Sequence, residues 1–262
     1  MNKFYADTGS GQLHARRLDA HGDVIHRPLL CLHPAPTSGL YFTTVMPLLN
    51  QGRTVIAPDY PGYGGSDPIG DSPTLADYAK SVLELLDGAS ISQPVDILGF
   101  HTGCLVGVEM AHQRSASVRR LVLCDIPYFT AEQQAGFREK MVRPLPLTSE
   151  LESLADAWRF SVSGRLEDVT LDRAFELFVE HLRAGRQDAL AFAAAFSYDC
   201  ESRFAGLDAD TVCLATRSGL HDATVAAAAA IPDARFVDVP EVTSAVFEAG
   251  AEAISGHILD SL

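Results

Sequence analysis

A five-residue turn constrains the fold of this chain more than any other feature. It reads Gly99-Phe100-His101-Thr102-Gly103 and joins a predicted strand at Val95–Leu98 to a predicted helix at Thr102–Arg114. Glycines at both ends of such a turn permit a strained backbone and close packing of strand against helix, while the central side chain is pushed outward. The central side chain here is an imidazole, so His101 decides which chemistry the turn can support.

Short apolar runs alternate with amphipathic helical stretches along the chain. This alternation is typical of a mostly parallel sheet covered by helices on both faces, and it predicts an α/β fold. Six apolar runs are read as strands: Leu29–Leu32, Thr54–Ala57, Val95–Leu98, Leu121–Cys124, Val212–Leu214 and Phe236–Val239. The N-terminal residues predict a hairpin of two further strands, Phe4–Tyr5 and Leu13–Arg17. Besides the helix after the turn, helices are predicted at Thr74–Leu86, Ala223–Ala230 and Ala249–Leu259.

Residues 128–204 break the alternation. Their pattern is helical throughout, with turn signals at 144–146 and 161–164 and no convincing strand. We interpret this segment as a helical cap inserted into an α/β core formed by residues 1–127 and 205–262. The aromatic side chains of the cap are candidates for the roof of a substrate site, although their helical spacing predicts that most of them pack inside the cap. They are Tyr128, Phe129, Trp158, Phe160, Phe175, Phe178, Phe192, Phe196 and Tyr198.

The charge and the cysteines exclude several classes of function. A formal net charge of -14 argues against nucleic acid or an anionic membrane as a partner, because phosphate binding requires clustered Lys and Arg. The five cysteines have neither CxxC nor zinc-ligand spacing, which predicts buried thiols in a reducing cytoplasm. No apolar segment is long enough for a signal peptide or a membrane span, so we expect a cytoplasmic protein. No cofactor or metal is predicted, and the oligomeric state is left open.

Three segments resemble the α/β-hydrolase superfamily. Leu32-His33-Pro34-Ala35-Pro36 matches the family's His-Gly-x-Pro turn after the third strand, with Pro34 in place of glycine. Residues 55–67, which read VIAPDYPGYGGSD, match the strand-four signature, and residues 98–104 match the Gly-x-nucleophile-x-Gly elbow. The chain is identified as a member of the cap-bearing branch, which includes haloalkane dehalogenases, epoxide hydrolases, C–C bond hydrolases and cofactor-free lyases and dioxygenases. The resemblance covers essentially the whole chain.

The resemblance implies an oxyanion hole at the turn. In the family its donors are the backbone N–H of the residue after the nucleophile and one from the His-Gly-x-Pro turn, which correspond to Thr102 and Ala35. Backbone donors survive side-chain substitution, and a helix that starts at Thr102 adds the positive end of its dipole. We therefore expect a binding pocket for an anion or a carbonyl oxygen, the alternative being a preserved turn with no oxyanion to bind.

The position of the catalytic acid is ambiguous. In the family the acid normally follows the seventh strand, where Asp222 is the candidate and His221 beside it is a candidate substrate-binding residue. In the dehalogenase-like branch the acid follows the sixth strand, where this chain has Asp125. A carboxylate there is able to orient and charge-stabilise His101, as in many acid/base sites. The alternative is an aspartate that caps local backbone N–H groups.

The general base of the family is replaced. In relatives it is a histidine after the last strand, and here Thr243 or Ser244 stands at that place. Neither hydroxyl is a base near pH 7. The later His257 falls within the closing helix and is expected to be a surface or packing residue. Because the nucleophile and the base are both replaced, a serine-esterase mechanism is effectively excluded.

Two functions of different classes remain. In the first, the protein is an enzyme in which His101 acts as acid/base on a small apolar carbonyl, ester or lactone compound under the cap, through hydrolase or lyase-type chemistry. In the second, the protein has kept the pocket and lost the chemistry, and serves as a small-ligand-binding or interaction protein. His33 is a candidate substrate-binding residue, although its family position usually serves to hold the loop.

Overall fold

An eight-stranded sheet organises the chain. The computed structural model describes the backbone of residues 1–262 and every side chain except those of Ser153 and Phe160, so one predicted roof residue, Phe160, lies outside the described side chains. The strands are β1 (Asn2–Thr8), β2 (Gly11–Leu18), β3 (Leu29–Leu32), β4 (Val55–Pro58), β5 (Val95–Phe100), β6 (Val118–Cys124), β7 (Asp210–Thr216) and β8 (Arg235–Val239). Their order is β1-β2-β4-β3-β5-β6-β7-β8, antiparallel from β1 to β4 and parallel from there to β8. The predicted α/β fold is confirmed.

Helices cover both faces of the sheet. They are α1 (Met46–Leu49), α2 (Leu75–Gly88), α3 (Thr102–Gln113), α4 (Ala131–Met141), α5 (Ala155–Ser161), α6 (Leu171–Ala184), α7 (Leu190–Ala195), α8 (Cys200–Ala205), α9 (His221–Ala230) and α10 (Ala251–Leu259). In β3, Leu30 and Leu32 pack in one apolar core with α2 and α3, whereas Leu29 and Cys31 pack in a second core with α1 and α10. Successive side chains of a strand point to opposite faces, so this buried strand reads as a continuous apolar run.

The predicted strands are all present, with ends that differ from the prediction by a few residues. β3 has the predicted limits, Leu29–Leu32. β6 begins at Val118 instead of Leu121, because Arg120 pairs with Asp210 of β7 in the ladder and its Nε donates to that carboxylate over 2.6 Å. A search for apolar runs does not detect ladder residues that are charged.

The segment between β6 and β7 is helical. It carries α4 to α8, and the described backbone has no strand there. Four of its side chains form a small apolar core: Val162, Val169, Ala174 and Phe178. The division of the chain into a core and a cap at residues 128 and 204 stays a prediction. No helix in the described part of the chain is long and apolar enough to cross a membrane.

Polar contacts attach this helical segment to the sheet. Ser38, at the start of a short 3-10 helix after β3, donates to the buried carboxylate of Glu180 on α6. Arg173, also on α6, donates through Nε to Glu248 over 2.8 Å. Both contacts hold α6 against loops at the carboxyl ends of the parallel strands, where sites in α/β proteins are built.

Candidate active site

The backbone at His101 is strained. Its φ is 49° and its ψ is -117°, which places a non-glycine residue in a region that such residues rarely adopt. Two glycines make this turn possible. A Cβ at Gly99 would lie 2.8 Å from the Cα of Cys104, and a Cβ at Gly103 would collide with the carbonyl oxygen of Leu32. The close packing of α3 against β3 and β5 fixes His101 at the carboxyl end of β5.

The imidazole of His101 has a buried Nε2 and is uncharged at neutral pH. It stacks on the ring of Phe100, with the centroids 4.0 Å apart and 28° between the planes. Its Nε2 is inaccessible to water and has no hydrogen-bond partner among the described residues. Burial lowers the pKa of His101 to about 4; the negative charge of Asp125 opposes this effect and the positive charge of Arg165 adds to it. The ring is therefore a neutral base with an unused nitrogen.

The N–H groups of Ala35 and Thr102 lie at the same edge of the sheet. Leu32 of β3 pairs with Gly99 of β5, so the segments that follow these two residues leave the parallel ladder side by side. In the part of the chain that the structure describes, neither N–H donates to a backbone carbonyl. Thr102 also begins α3, whose N-terminal end carries a partial positive charge. Such donors suit the oxygen of a carbonyl group or an anion.

His33 holds the turn that carries Ala35. Its ring is fully buried, its Nδ1 donates to the carbonyl of Pro34 over 3.0 Å, and its Nε2 accepts from the N–H of Tyr60 over 3.1 Å. Burial lowers the pKa of His33 to about 4. The backbone thus uses both ring nitrogens of His33, and a substrate contact of His33 stays a prediction.

The negative charge of Asp125 acts on His101, but the two described side chains are not hydrogen-bonded to each other. The carboxyl group is fully buried, and it accepts from the N–H of Thr216 over 2.9 Å and from the hydroxyl of Thr216 over 2.6 Å. The described side chains form no hydrogen bond between Asp125 and His101. The hydrogen bonds of Asp125 go to a residue of the neighbouring strand β7, and its charge acts on the imidazole.

Asp222 and His221 belong to a surface cluster at the start of α9. The Asp222 side chain is fully exposed and lies 3.3 Å from Nδ1 of His221. Nε2 of His221 lies 3.1 Å from Asp238 of β8, and hydrogen bonds to Asp238 and then to Asp222 raise the pKa of His221. The structure does not bring Asp222 or His221 into contact with His101, because both point into solvent beyond β7.

The loop after β8 contains hydroxyls in place of the family's base. Thr243 and Ser244 are exposed, and the Ser244 hydroxyl donates to Asp168 of the helical segment over 2.7 Å. His257 of α10 lies 2.6 Å from the Glu241 carboxylate at the surface. The only imidazole after β8 is thus held in a hydrogen bond at the surface, as the sequence predicts.

Sequence reasoning missed Arg165 and Tyr41. Tyr41 stacks on Phe100, with centroids 5.6 Å apart and 21° between the planes. Burial raises the pKa of Tyr41 and the charge of Arg165 opposes that rise, so the guanidinium acts on both Tyr41 and His101. No motif marks either residue. The sequence signal was an arginine next to the turn predicted at 161–164, which does not indicate where the side chain lies.

A cavity of about 220 Å³ opens beside the turn that carries Ala35. Pro36 and Thr37 line it on the side of the sheet, and Arg143, Arg165 and Phe192 line it on the side of the helical segment. The cavity is therefore bounded by residues next to the free N–H of Ala35 and by the arginine that acts on His101.

The aromatic side chains that were expected to form the roof of the site differ in their burial. Phe178, Phe196 and Tyr198 are buried, whereas Trp158 and Phe175 are exposed. Trp158 contacts Phe178 edge to face, with centroids 5.5 Å apart. Tyr198 packs in the core of the sheet, where its hydroxyl donates to Glu109 of α3 over 3.0 Å.

Comparison with known proteins decides the family. A family model for the alpha/beta hydrolase fold matches residues 27–240, which include every strand from β3 to β8. The chain belongs to this family. The resemblance inferred from the three sequence segments is therefore confirmed.

Relatives within the α/β-hydrolase family share the fold along nearly the whole chain. The chain is 32% identical over 111 residues to a 2-hydroxymuconate semialdehyde hydrolase from Pseudomonas sp. strain CF600, a match that covers 41% of this chain and 39% of that protein. Among solved structures, a hydrolase from Pseudomonas aeruginosa PA01 superposes with a TM-score of 0.79 at 22% identity, over 99% of this chain and 98% of that one. The enol-lactonase from Burkholderia xenovorans LB400 superposes with a TM-score of 0.76 at 19% identity, over 98% of each chain.

Proposed function

We propose that this α/β-hydrolase-family protein is an enzyme that acts on a small carbonyl, ester or lactone compound, with His101 as its acid/base. The observation that carries the proposal is the unused Nε2 of His101, a neutral nitrogen at the place where the family holds its nucleophile. The names of two similar proteins, a semialdehyde hydrolase and an enol-lactonase, support this class of substrate. The unpaired N–H groups of Ala35 and Thr102 supply the second part of such a site.

The arrangement suits the removal of a proton next to a carbonyl group. The carbonyl oxygen of the substrate accepts hydrogen bonds from the N–H groups of Ala35 and Thr102. The bond between carbon and hydrogen breaks, its electron pair moves towards that oxygen, and the proton passes to the imidazole of His101. The developing enolate is then stabilised by the two donors and the N-terminus of α3.

Asp125 contributes through its charge. Once His101 accepts a proton, the imidazolium lies next to the buried carboxylate that raises its pKa. Thr216 holds that carboxylate in place with two hydrogen bonds. Asp125 is therefore a charge-stabilising residue in the proposal, and Asp222 has no part in it.

Substrate access requires a movement of the helical segment or of the imidazole, because Nε2 of His101 is closed to water. Lids of this kind open on microsecond to millisecond timescales in many enzymes. At α6 the segment is attached to loops of the sheet by polar side-chain contacts such as those of Glu180 and Arg173, which water can replace when this part of the segment moves.

One observation favours the second function, that of a binding protein without catalytic activity. Both carboxylate oxygens of Asp125 are bonded to Thr216, and neither makes a hydrogen bond to His101 in the described structure. An imidazole without a bonded carboxylate is also what a catalytically inactive relative would retain. In that case the protein binds a small ligand or a partner through the same pocket.

Exchange of carbon-bound hydrogen with solvent deuterium tests the proposal without knowledge of the natural substrate. Small ketones, aldehydes and lactones are incubated with the protein in D₂O, and the loss of their α-proton signals is followed by NMR. We expect exchange that falls by about 10²-fold to 10⁴-fold in His101→Ala and in His101→Gln. His257→Ala removes a surface imidazole and serves as the matched control. Exchange that is equal in wild type and His101→Ala, or absent in wild type, contradicts the enzyme and favours the binding protein.

A further inference from the structure

Arg165 is a partly buried cation without an ion pair. Among the described side chains, no carboxylate lies within 4.0 Å of its guanidinium, and it makes no side-chain hydrogen bond. Other buried arginines of this chain have partners: Arg16 donates to Asp59 over 2.8 Å and Arg53 to Asp96 over 3.3 Å. The chain has 34 acidic and 20 basic residues, so carboxylates are abundant. An unpaired guanidinium inside such a protein calls for a partner that is not part of the chain.

The carboxylate that lines the same cavity as Arg165 and the one that acts with Arg165 on Tyr41 are both engaged elsewhere. Asp188, which lines the same cavity, accepts from the N–H of Leu145 over 3.1 Å and lies 3.1 Å from Nε2 of His181. Glu248 is bonded to Arg173, over 2.8 Å. Neither carboxylate is therefore free to neutralise the guanidinium.

Arg165 lines a cavity beside the turn that carries Ala35. It lines the cavity of about 220 Å³ that begins at Pro36, the residue after Ala35, and Arg143 lines the same cavity. The charge of Arg165 acts on His101, whose Nε2 is buried and has no partner. A cation thus lines a small cavity next to the turn that carries Ala35, and its charge acts on the imidazole of His101.

We propose that Arg165, assisted by Arg143, binds a carboxylate of the substrate, so that the protein selects carbonyl compounds that also carry an acid group. This inference rests on the proposed function, because it names the substrate class of the same site. The planar guanidinium presents N–H donors in a fork that matches the two oxygens of a carboxylate. The free N–H groups of Ala35 and Thr102 remain available for the carbonyl oxygen of the same molecule.

Binding of such an anion changes the environment of His101. The charged groups that act on its imidazole are Arg165, from the helical segment, and Asp125, from the loop after β6. A carboxylate seated on Arg165 cancels the positive charge that disfavours the imidazolium. The bound substrate therefore makes His101 a stronger base, and an uncharged analogue does not.

Binding of benzoate and benzamide to the intact protein tests this inference, with isothermal titration as the measurement. The two probes have the same ring and differ in charge. We expect benzoate to bind at least about tenfold more tightly than benzamide to the wild type, and Arg165→Gln to remove the difference. Arg165→Lys should keep part of the preference, because it keeps the charge and loses the fork. Arg186→Gln removes an exposed arginine from the same helical segment and should keep all of it.

A second measurement follows the titration of His101 by NMR. Saturating benzoate should shift the pKa of His101 upward in the wild type and leave it unchanged in Arg165→Gln, a result that a merely structural role of Arg165 does not produce. Equal binding of the two probes to the wild type, a preference for benzoate that survives in Arg165→Gln, or no benzoate binding in the range of about 10 mM overturns the inference. His101→Ala should still prefer benzoate. Loss of deuterium exchange in the wild type with this preference intact would remove the proposed reaction and leave the carboxylate site.

Discussion

Thr216 holds the carboxyl group of Asp125 with two hydrogen bonds, one from its N–H over 2.9 Å and one from its hydroxyl over 2.6 Å. The acid is therefore positioned by β7, the neighbouring strand, and not by the imidazole on which its charge acts. In a site where acid and base are bonded to each other, removing one partner also misorients the other. Here the charge of Asp125 can be removed while His101 keeps its place.

Asp125→Asn should lower the pKa of His101 further below about 4, because the carboxylate is the group that raises it. The asparagine can still accept from the N–H of Thr216, so we expect the fold to be kept. The pH dependence of the His101 ring signals in NMR measures the change. Asp222→Asn, which removes an exposed carboxylate, should leave these signals unaltered. A shift caused by Asp222→Asn and not by Asp125→Asn would assign the acid to the loop after β7.

Gly103→Ala should destabilise the fold, because the added Cβ collides with the carbonyl oxygen of Leu32. Overpacking of this kind costs about 1–3 kcal/mol of the free energy of unfolding. Gly256→Ala is the matched control, since a Cβ there meets no atom within 4 Å and α10 gains helix propensity. Urea denaturation compares the two variants, and a Gly103→Ala protein as stable as Gly256→Ala would disprove the tight contact.

Stability should fall as the pH is lowered from 6.5 towards 4, because His33 is buried and uncharged. Its pKa is about 4 in the folded protein against 6.5 as the ordinary value, so in this window the unfolded chain binds the extra proton. The free energy of unfolding then decreases with falling pH, by up to about 3 kcal/mol for this group, and the loss levels off below pH 4. Urea denaturation at pH 7 and at pH 4.5 measures the effect. A His33 ring that titrates near pH 6.5 by NMR would be incompatible with it.

Glu180→Ala should loosen the helical segment without unfolding the sheet. The carboxylate accepts from Ser38, and Arg16 lies 3.9 Å away, so its removal breaks a buried contact between α6 and the sheet. Loss of a buried hydrogen bond to a charged group costs about 1–3 kcal/mol, which corresponds to a rise of tenfold or more in amide exchange. Hydrogen exchange in residues 171–184 should rise, and that of β5 should not. Glu176→Ala, on the exposed side of the same helix, should have little effect.

The fold could be predicted from the sequence because its signals are local. The buried run Leu29–Leu32 has the limits that its composition indicates, and the two glycines around His101 mark a turn that a Cβ would block. The ends of strands were predicted less accurately where charged residues lie in the sheet. The pairing of Arg120 with Asp210 is an example, because hydrophobic periodicity does not detect charged residues.

The site could be predicted only in part. His101 was identified from its place in the turn, since that place is fixed within seven residues of sequence. The sequence left the acid open between Asp125 and Asp222, and only the structure shows that Asp125 is buried and that Asp222 is in solvent. Arg165 was missed, because nothing near it in sequence indicates that the packing of the helical segment lets its charge act on His101 at the end of β5. Such contacts depend on how a long insertion packs, which no local pattern encodes.

The hydrogen bond from Ser244 to Asp168 joins the loop after β8 to the helical segment at an exposed point, over 2.7 Å. The resemblance implies a histidine base at that loop position in relatives. Here a hydroxyl stands in its place and bonds the loop to the helical segment. An exposed hydrogen bond of this kind breaks at little cost in free energy, because water replaces each partner. The loop after β8 and the helical segment thus share a contact that any displacement of residues near 168 from the sheet would break.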